Sequence, residues 1–138
     1  MILVDTSVWS LALRRERRHL NGAEASIVHH WSELAARGEA ALIGAIRQEI
    51  LSGIRRAEQF DQLRNSLDSF ACLRVSLPDH DRAAACFNAC RTRGVAPTAI
   101  DMLICGVSLN FDLPILTVDS DYRRYAACIS IRLYELRR

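Results

Sequence analysis

Short apolar runs separated by longer stretches of mixed polarity make up almost the whole chain. Met1–Val4, Ala40–Ile43, Cys72–Val75 and Ile115–Val118 are each mainly apolar and only four residues long, which suits strands buried on both faces. Between them apolar residues recur at helical spacing. A helix is expected from about Val8 into the polar cluster Arg14–His19. Glu24–Ala36 sets Ile27, Val28, Trp31, Leu34 and Ala35 on one side. A further helix carries Ile46, Glu49 and Ile50 before Gly53, and Ala57–Phe70 spaces Phe60, Leu63, Leu67 and Phe70 for one face. Asp79–Arg93 is the next helical stretch, with Gly94 as its stop. Thr98-Ala99-Ile100-Asp101 has the spacing of a capping box, and the helix it opens is apolar on both sides, which predicts deep burial. A brief helix through Tyr125 and an alternating edge strand over Ile129–Tyr134 complete the expected order. Strands alternating with helices predict an α/β sandwich around a mostly parallel sheet.

Charge placement changes the picture more than composition does. Asp5 is the only ionisable side chain between Met1 and Leu13, and Asp101 is the only charge between Val95 and Phe111. A carboxylate in such surroundings is costly unless something compensates it. No arginine lies nearby in sequence to pair with either acid. Asp119 follows the apolar stretch Pro114–Val118, with Asp121 two residues on. Parallel sheets collect ligands at the carboxyl ends of their strands, where strand order reverses, and Asp5 and Asp119 both follow predicted strand ends. Glu49, on the helix after the second strand, is expected to face the same end. The candidate cluster is therefore Asp5, Glu49, Asp101 and Asp119, with Asp121 as a neighbouring fifth acid. Gathered carboxylates repel unless they share protons or cations, and Mg²⁺ suits such a set as a hard ion that takes one or two carboxylates and keeps waters. Each acid also has a structural reading: Asp5 and Asp101 as helix caps, Glu49 as a solvated helix residue, Asp119 and Asp121 as turn and capping residues.

At 138 residues, half of them hydrophobic and a quarter charged, the chain is expected to be one globular domain over 1–138. A net charge of +2 does not announce a nucleic-acid binder. All 18 basic residues, however, are arginine, which grips phosphate bidentately, although a GC-rich genome gives the same bias. Arg14, Arg15, Arg17 and Arg18 form either a phosphate-binding patch or a solvated helix end. Arg55-Arg56, Arg91-Arg93 and Arg123-Arg124 can extend a basic rim around the acidic centre. Five scattered cysteines complete no zinc set and read as reduced thiols. Without a signal-peptide pattern or a membrane-length apolar run, the expected location is the cytoplasm. Walker A, nucleophile-elbow and dinucleotide-binding motifs are all missing from the sequence.

Four segments, Met1–Trp9, Gln48–Arg55, Ile100–Ile104 and Leu116–Tyr122, together resemble the PIN domains of VapC-type toxins, in order and at the usual length. The resemblance implies a PIN-like three-layer α/β/α sandwich and a Mg²⁺- or Mn²⁺-dependent endoribonuclease, the toxin half of a type II toxin–antitoxin pair. It also implies a homodimer that joins a small VapB-like antitoxin, which blocks the active site and alone contacts DNA. Residue by residue, Asp5, Glu49, Asp101 and Asp119 fall on the family's acidic quartet, with Asp5, Asp101 and Asp119 as metal ligands and Glu49 positioning or deprotonating water. Asp121 matches the second acid of the closing motif, and Tyr122 stands where phenylalanine is usual. Thr6 and Thr117 match polar positions beside the metal. Two other readings stay open from the residues alone. One is a non-catalytic RNA-binding or antitoxin-docking module with structural acids. The other is an aspartate-nucleophile phosphatase, against which Thr6-Ser7 stands where a second Asp is usual.

Overall fold

The computed structural model describes residues 1–136. Strand β1 (Ile2–Val4) leads into α1 (Thr6–Leu13), a single 3-10 turn (Arg17–His19) and α2 (Gly22–Ala36). β2 (Ala40–Ile43), α3 (Gly44–Leu51), α4 (Ala57–Leu67) and β3 (Ala71–Leu73) follow. α5 (Leu77–Thr92), α6 (Ala99–Phe111), β4 (Ile115–Leu116) and α7 (Asp121–Cys128) complete the order.

The four strands form one parallel sheet in the order β3-β2-β1-β4, with helices flanking it. All seven residues of β1 and β2 are buried, as unbroken apolar strands in an α/β fold must be. Chain order steps from β1 to β2 to β3 in one direction, and β4 then pairs on the other side of β1. The reversal leaves a crevice at the carboxyl ends of β1 and β4, and it is there that Asp5 and Thr117 emerge. Trp9 donates its indole N–H to the Val4 carbonyl at 2.9 Å and packs edge-on against Trp31 and Phe70, fixing α1 over the sheet.

Helices α5 and α6 pack closely. Gly106 permits this: a Cβ there would meet the Ala83 nitrogen at 2.8 Å and the Asp79 carbonyl at 2.9 Å. Asp79 is buried yet fully engaged, closing a capping box with Ser76 and accepting from Asn110 Nδ2 at 2.9 Å. Those donors hold its carboxyl below its ordinary range against the opposing effect of burial, the largest single influence on it. The clamp orients α6, whose first turn carries Asp101.

One expected element is corrected. Ile129–Tyr134 makes no strand; Leu133 forms a single parallel bridge with Ile115. β4 is two residues long and presents too little edge for a ladder. The five cysteines are free, with Cys86, Cys90 and Cys105 buried. No helix among the described residues is long and apolar enough to cross a membrane.

Candidate metal centre

Asp5 is the residue at which β1 becomes α1. Its backbone is extended and its carboxylate caps the helix, accepting from the Ser7 N–H at 3.3 Å. Capping uses only part of its capacity. Oδ2 also accepts from the Ser7 hydroxyl at 2.7 Å and from Thr117 Oγ1 at 2.9 Å, while Oδ1 accepts from the Tyr122 phenol at 3.0 Å. Four donors from three segments therefore hold a carboxylate that is 4% exposed, which is how a buried acid is tolerated without a basic partner.

Asp101 enters the same crevice from α6. Thr98 caps that helix by accepting from the Asp101 N–H at 3.1 Å, and the Asp101 side chain turns to α7. Oδ2 takes the Tyr125 hydroxyl at 2.7 Å and Oδ1 lies 3.4 Å from the Tyr122 hydroxyl. One phenol thus touches both acids, and their facing oxygens are no more than about 6.4 Å apart. Asp101's carboxyl is held above the ordinary carboxylate range. Partial burial is the main cause, the Tyr125 hydrogen bond works against it, and the charges of Asp5 and Asp119 add to it.

Asp119 approaches from the loop after β4. Its N–H donates to Thr117 Oγ1 at 3.0 Å, tying it to the hydroxyl that serves Asp5, and its Oδ1 accepts from the Asp121 N–H at 2.9 Å. Glu49 sits half-buried on α3, where Oε1 accepts from Thr6 Oγ1 at 2.6 Å. Asp121 is drawn away: Arg124 pairs with it at 3.0 Å across one turn of α7. The structure therefore brings Asp5, Asp101, Asp119 and Glu49 to one end of the sheet, with Thr6 and Thr117 between them and Asp121 at the margin.

Two residues in this network carried no signal that singled them out. Ser7 lies two positions after Asp5, the spacing of a local side-chain turn, and Tyr125 lies one helical turn after Tyr122. Those spacings were the only hint.

Among the described residues no three His, Cys, Asp or Glu side chains form a ready-made ligand set for one ion. A divalent cation still fits. Mg²⁺ is held by one or two carboxylates and keeps its remaining waters, rather than needing a cage made wholly of protein. Asp5 and Asp101 offer such a pair of hard oxygens, with one phenol and no basic side chain between them.

Two grooves meet at Val118, an exposed apolar residue next to Asp119. One runs along Ser7, Ser10, Arg14 and His19; the other along Thr117, Asp119, Ser120 and Arg123. The arginines are not equivalent. Arg15 pairs with Glu24 at 2.8 Å and Arg18 with Glu16 at 2.6 Å, whereas Arg14, Arg17 and Arg123 have no acidic partner among the described residues.

The PIN domain family model matches residues 2–127. No curated protein matches the chain at a significant level. Solved structures of the same fold include FitAcB from Neisseria gonorrhoeae, at 18% identity and a TM-score of 0.71, covering 98% of this chain and 97% of that one. VapBC2 from Rickettsia felis, bound to a DNA fragment from their promoter, is 16% identical with a TM-score of 0.72, covering 97% and 98%. A toxin–antitoxin complex from Klebsiella pneumoniae is 16% identical with a TM-score of 0.69, covering 99% and 100%.

Proposed function

The chain belongs to the PIN domain family, and from that premise we propose that it is a divalent-metal-dependent endoribonuclease acting as the toxin of a type II toxin–antitoxin pair. PIN domains are generally nucleases. The observation that carries the reading is the Tyr122 hydroxyl reaching both Asp5 and Asp101 at the reversal of strand order. Two acids from distant segments meet there with no basic residue to neutralise them.

In this reading Asp5, Asp101 and Asp119 hold Mg²⁺ or Mn²⁺. The ion, when bound, neutralises charge on the phosphodiester and makes water a stronger nucleophile. Glu49 accepts the proton of the attacking water, and the Thr6 hydroxyl holds it in place. Thr117 and Ser7 orient Asp5, since both donate to Oδ2 and leave Oδ1 facing Asp101. Arg14 and Arg123, free of acidic partners, hold the RNA backbone on either side of Val118, while Arg15 and Arg18 are spent on Glu24 and Glu16. The partners are an RNA substrate, a second copy of the chain and a VapB-like antitoxin that alone contacts DNA, all in the cytoplasm. Toxin–antitoxin complexes among the structural neighbours support the antitoxin partner.

Cleavage of RNA by purified chain freed of any partner, in Mg²⁺ and in EDTA, tests the activity. Asp5→Asn and Asp101→Asn are expected to abolish metal-dependent cleavage while leaving the far-UV circular dichroism unchanged. Either variant cutting RNA at the wild-type rate sinks the assignment; an inert wild type that binds RNA favours the docking module instead. Binding of single-stranded RNA to the Asp5→Asn chain tests the path. Arg14→Ala and Arg123→Ala should each flatten the slope of log affinity against log salt by about 0.7, and Arg18→Ala should leave it unchanged.

A further inference from the structure

Tyr122 and Tyr125 lie one turn apart on α7, 0% and 1% exposed, with their rings edge-on at 5.2 Å. Packing alone needs only the rings, and a phenylalanine supplies an equal one. What a tyrosine adds is a hydroxyl that must find a partner when buried. Both hydroxyls of this pair turn to the carboxylates: Tyr122 to Asp5 Oδ1 at 3.0 Å and Asp101 Oδ1 at 3.4 Å, Tyr125 to Asp101 Oδ2 at 2.7 Å.

Counting lone pairs shows what this arrangement leaves. A carboxylate oxygen has two acceptor sites. Asp5 Oδ2 is filled by the Ser7 hydroxyl and Thr117, with the Ser7 N–H adding a third contact. Asp101 Oδ2 receives the shortest phenol hydrogen bond of the set and keeps its second acceptor site. The two remaining oxygens, Asp5 Oδ1 and Asp101 Oδ1, share one phenol proton between them and each keeps acceptor capacity. Tyr122 thus joins the two carboxylates and sets the distance and angle between their facing Oδ1 atoms. A phenol carries its proton at neutral pH, so both hydroxyls act as donors toward the carboxylates.

We propose that Tyr122 and Tyr125 are positioning residues for the cation, their hydroxyls aiming Asp5 Oδ1 and Asp101 Oδ1 at one shared point. The proposal rests on the metal-dependent reading above. It assigns the hydroxyls, and not the rings, a role in metal affinity. Partners of metal ligands typically contribute 10–100-fold to affinity or activity by fixing the ligand's orientation.

The test is a Mn²⁺ titration of the full chain followed by electron paramagnetic resonance, with melting temperature measured in EDTA. Tyr122→Phe and Tyr125→Phe are each expected to weaken Mn²⁺ binding 10–100-fold. Cleavage by these variants should recover as Mn²⁺ is raised, which a purely structural defect would not do. Wild-type Mn²⁺ affinity in both variants, whatever their melting temperature, overturns the proposal. Should Tyr122→Phe fail to fold, Tyr125→Phe decides it, because that hydroxyl reaches only Asp101. Asp5→Asn separates the two levels: if it leaves Mn²⁺ binding untouched, the ion is not at these acids and both the proposal and the metal assignment fall.

Discussion

Removing the charge of Asp101 should make the protein more stable and inactive at once. In the metal-free protein Asp101 and Asp5 face each other across one phenol, and no basic residue stands between them. At the upper-limit separation of about 6.4 Å, two unit charges repel by roughly 2.5 kcal/mol at an effective dielectric of about 20. Asp101 is only partly buried, so water and salt reduce this, and about 1–2 kcal/mol is the working figure. Desolvation adds to the repulsion and the Tyr125 hydrogen bond subtracts from it; the upward shift of the carboxyl says that the unfavourable influences win. Asp101→Asn keeps shape and an oxygen acceptor for Tyr125 while deleting the charge. For a domain of this size the gain corresponds to a rise of roughly 3–8 °C in melting temperature at pH 7.5 in EDTA. The sign with pH is fixed by the same shift. Because the folded-state value lies above the unfolded one, the stability linked to Asp101 is fully present below its unfolded value and is lost as pH rises through its raised folded value. The advantage of Asp101→Asn over wild type should therefore grow from acid to neutral pH. Added Mg²⁺ should raise the wild-type melting temperature and leave that of the variant unmoved. A variant that melts lower than wild type at neutral pH in EDTA, with an unchanged response to Mg²⁺, would show Asp101 to be a structural cap and refute the reasoning.

Other expectations follow from single contacts. Gly106→Ala drives a methyl to 2.8 Å from the Ala83 nitrogen and 2.9 Å from the Asp79 carbonyl, so it should cost about 1–3 kcal/mol or more in urea denaturation, and unchanged stability would contradict the close crossing of α5 and α6. Thr6→Val deletes the donor that holds Glu49 at 2.6 Å; kcat for RNA cleavage should fall by about tenfold with Mn²⁺ affinity retained, and an unaltered kcat would remove Glu49's positioning by Thr6 from the mechanism.

The parts of the fold that sequence made legible are those where burial leaves no choice. Ala40–Ile43 is predicted and observed with the same ends, because a strand covered on both faces must be apolar throughout. Helix starts moved where a side chain reached backbone that periodicity cannot see. α1 begins at Thr6 and not near Val8, because Asp5 itself caps it. α5 begins at Leu77, two residues before the expected Asp79, since Pro78 fits the first helical turn. Cys72–Val75 shifted to Ala71–Leu73, set by its register against β2. The alternation of Ile129–Tyr134 reflects Ile131 packing into the core without a neighbouring strand long enough to pair with.

The acids stood out for a different reason. A lone charge in an apolar run is a local signal, and both Asp5 and Asp101 have it. Their meeting is not local; it depends on β4 returning to the far side of β1 and on α7 reaching over both, which no short window contains. The same holds for the donors. Ser7, Thr117, Tyr122 and Tyr125 come from three segments, and it is the fold that brings their hydroxyls onto the two acids. Among the basic residues only geometry separates the free Arg14 and Arg123 from the paired Arg15 and Arg18.

Anomalous X-ray scattering from crystals of the chain grown with Mn²⁺ addresses the metal directly. An ordered peak is expected about 2.0–2.2 Å from oxygens of both Asp5 and Asp101, with Asp119 facing the ion through water or directly. Ordered Mn²⁺ found only elsewhere, or an Asp5–Asp101 gap left without Mn²⁺ at concentrations that support RNA cleavage, would contradict it.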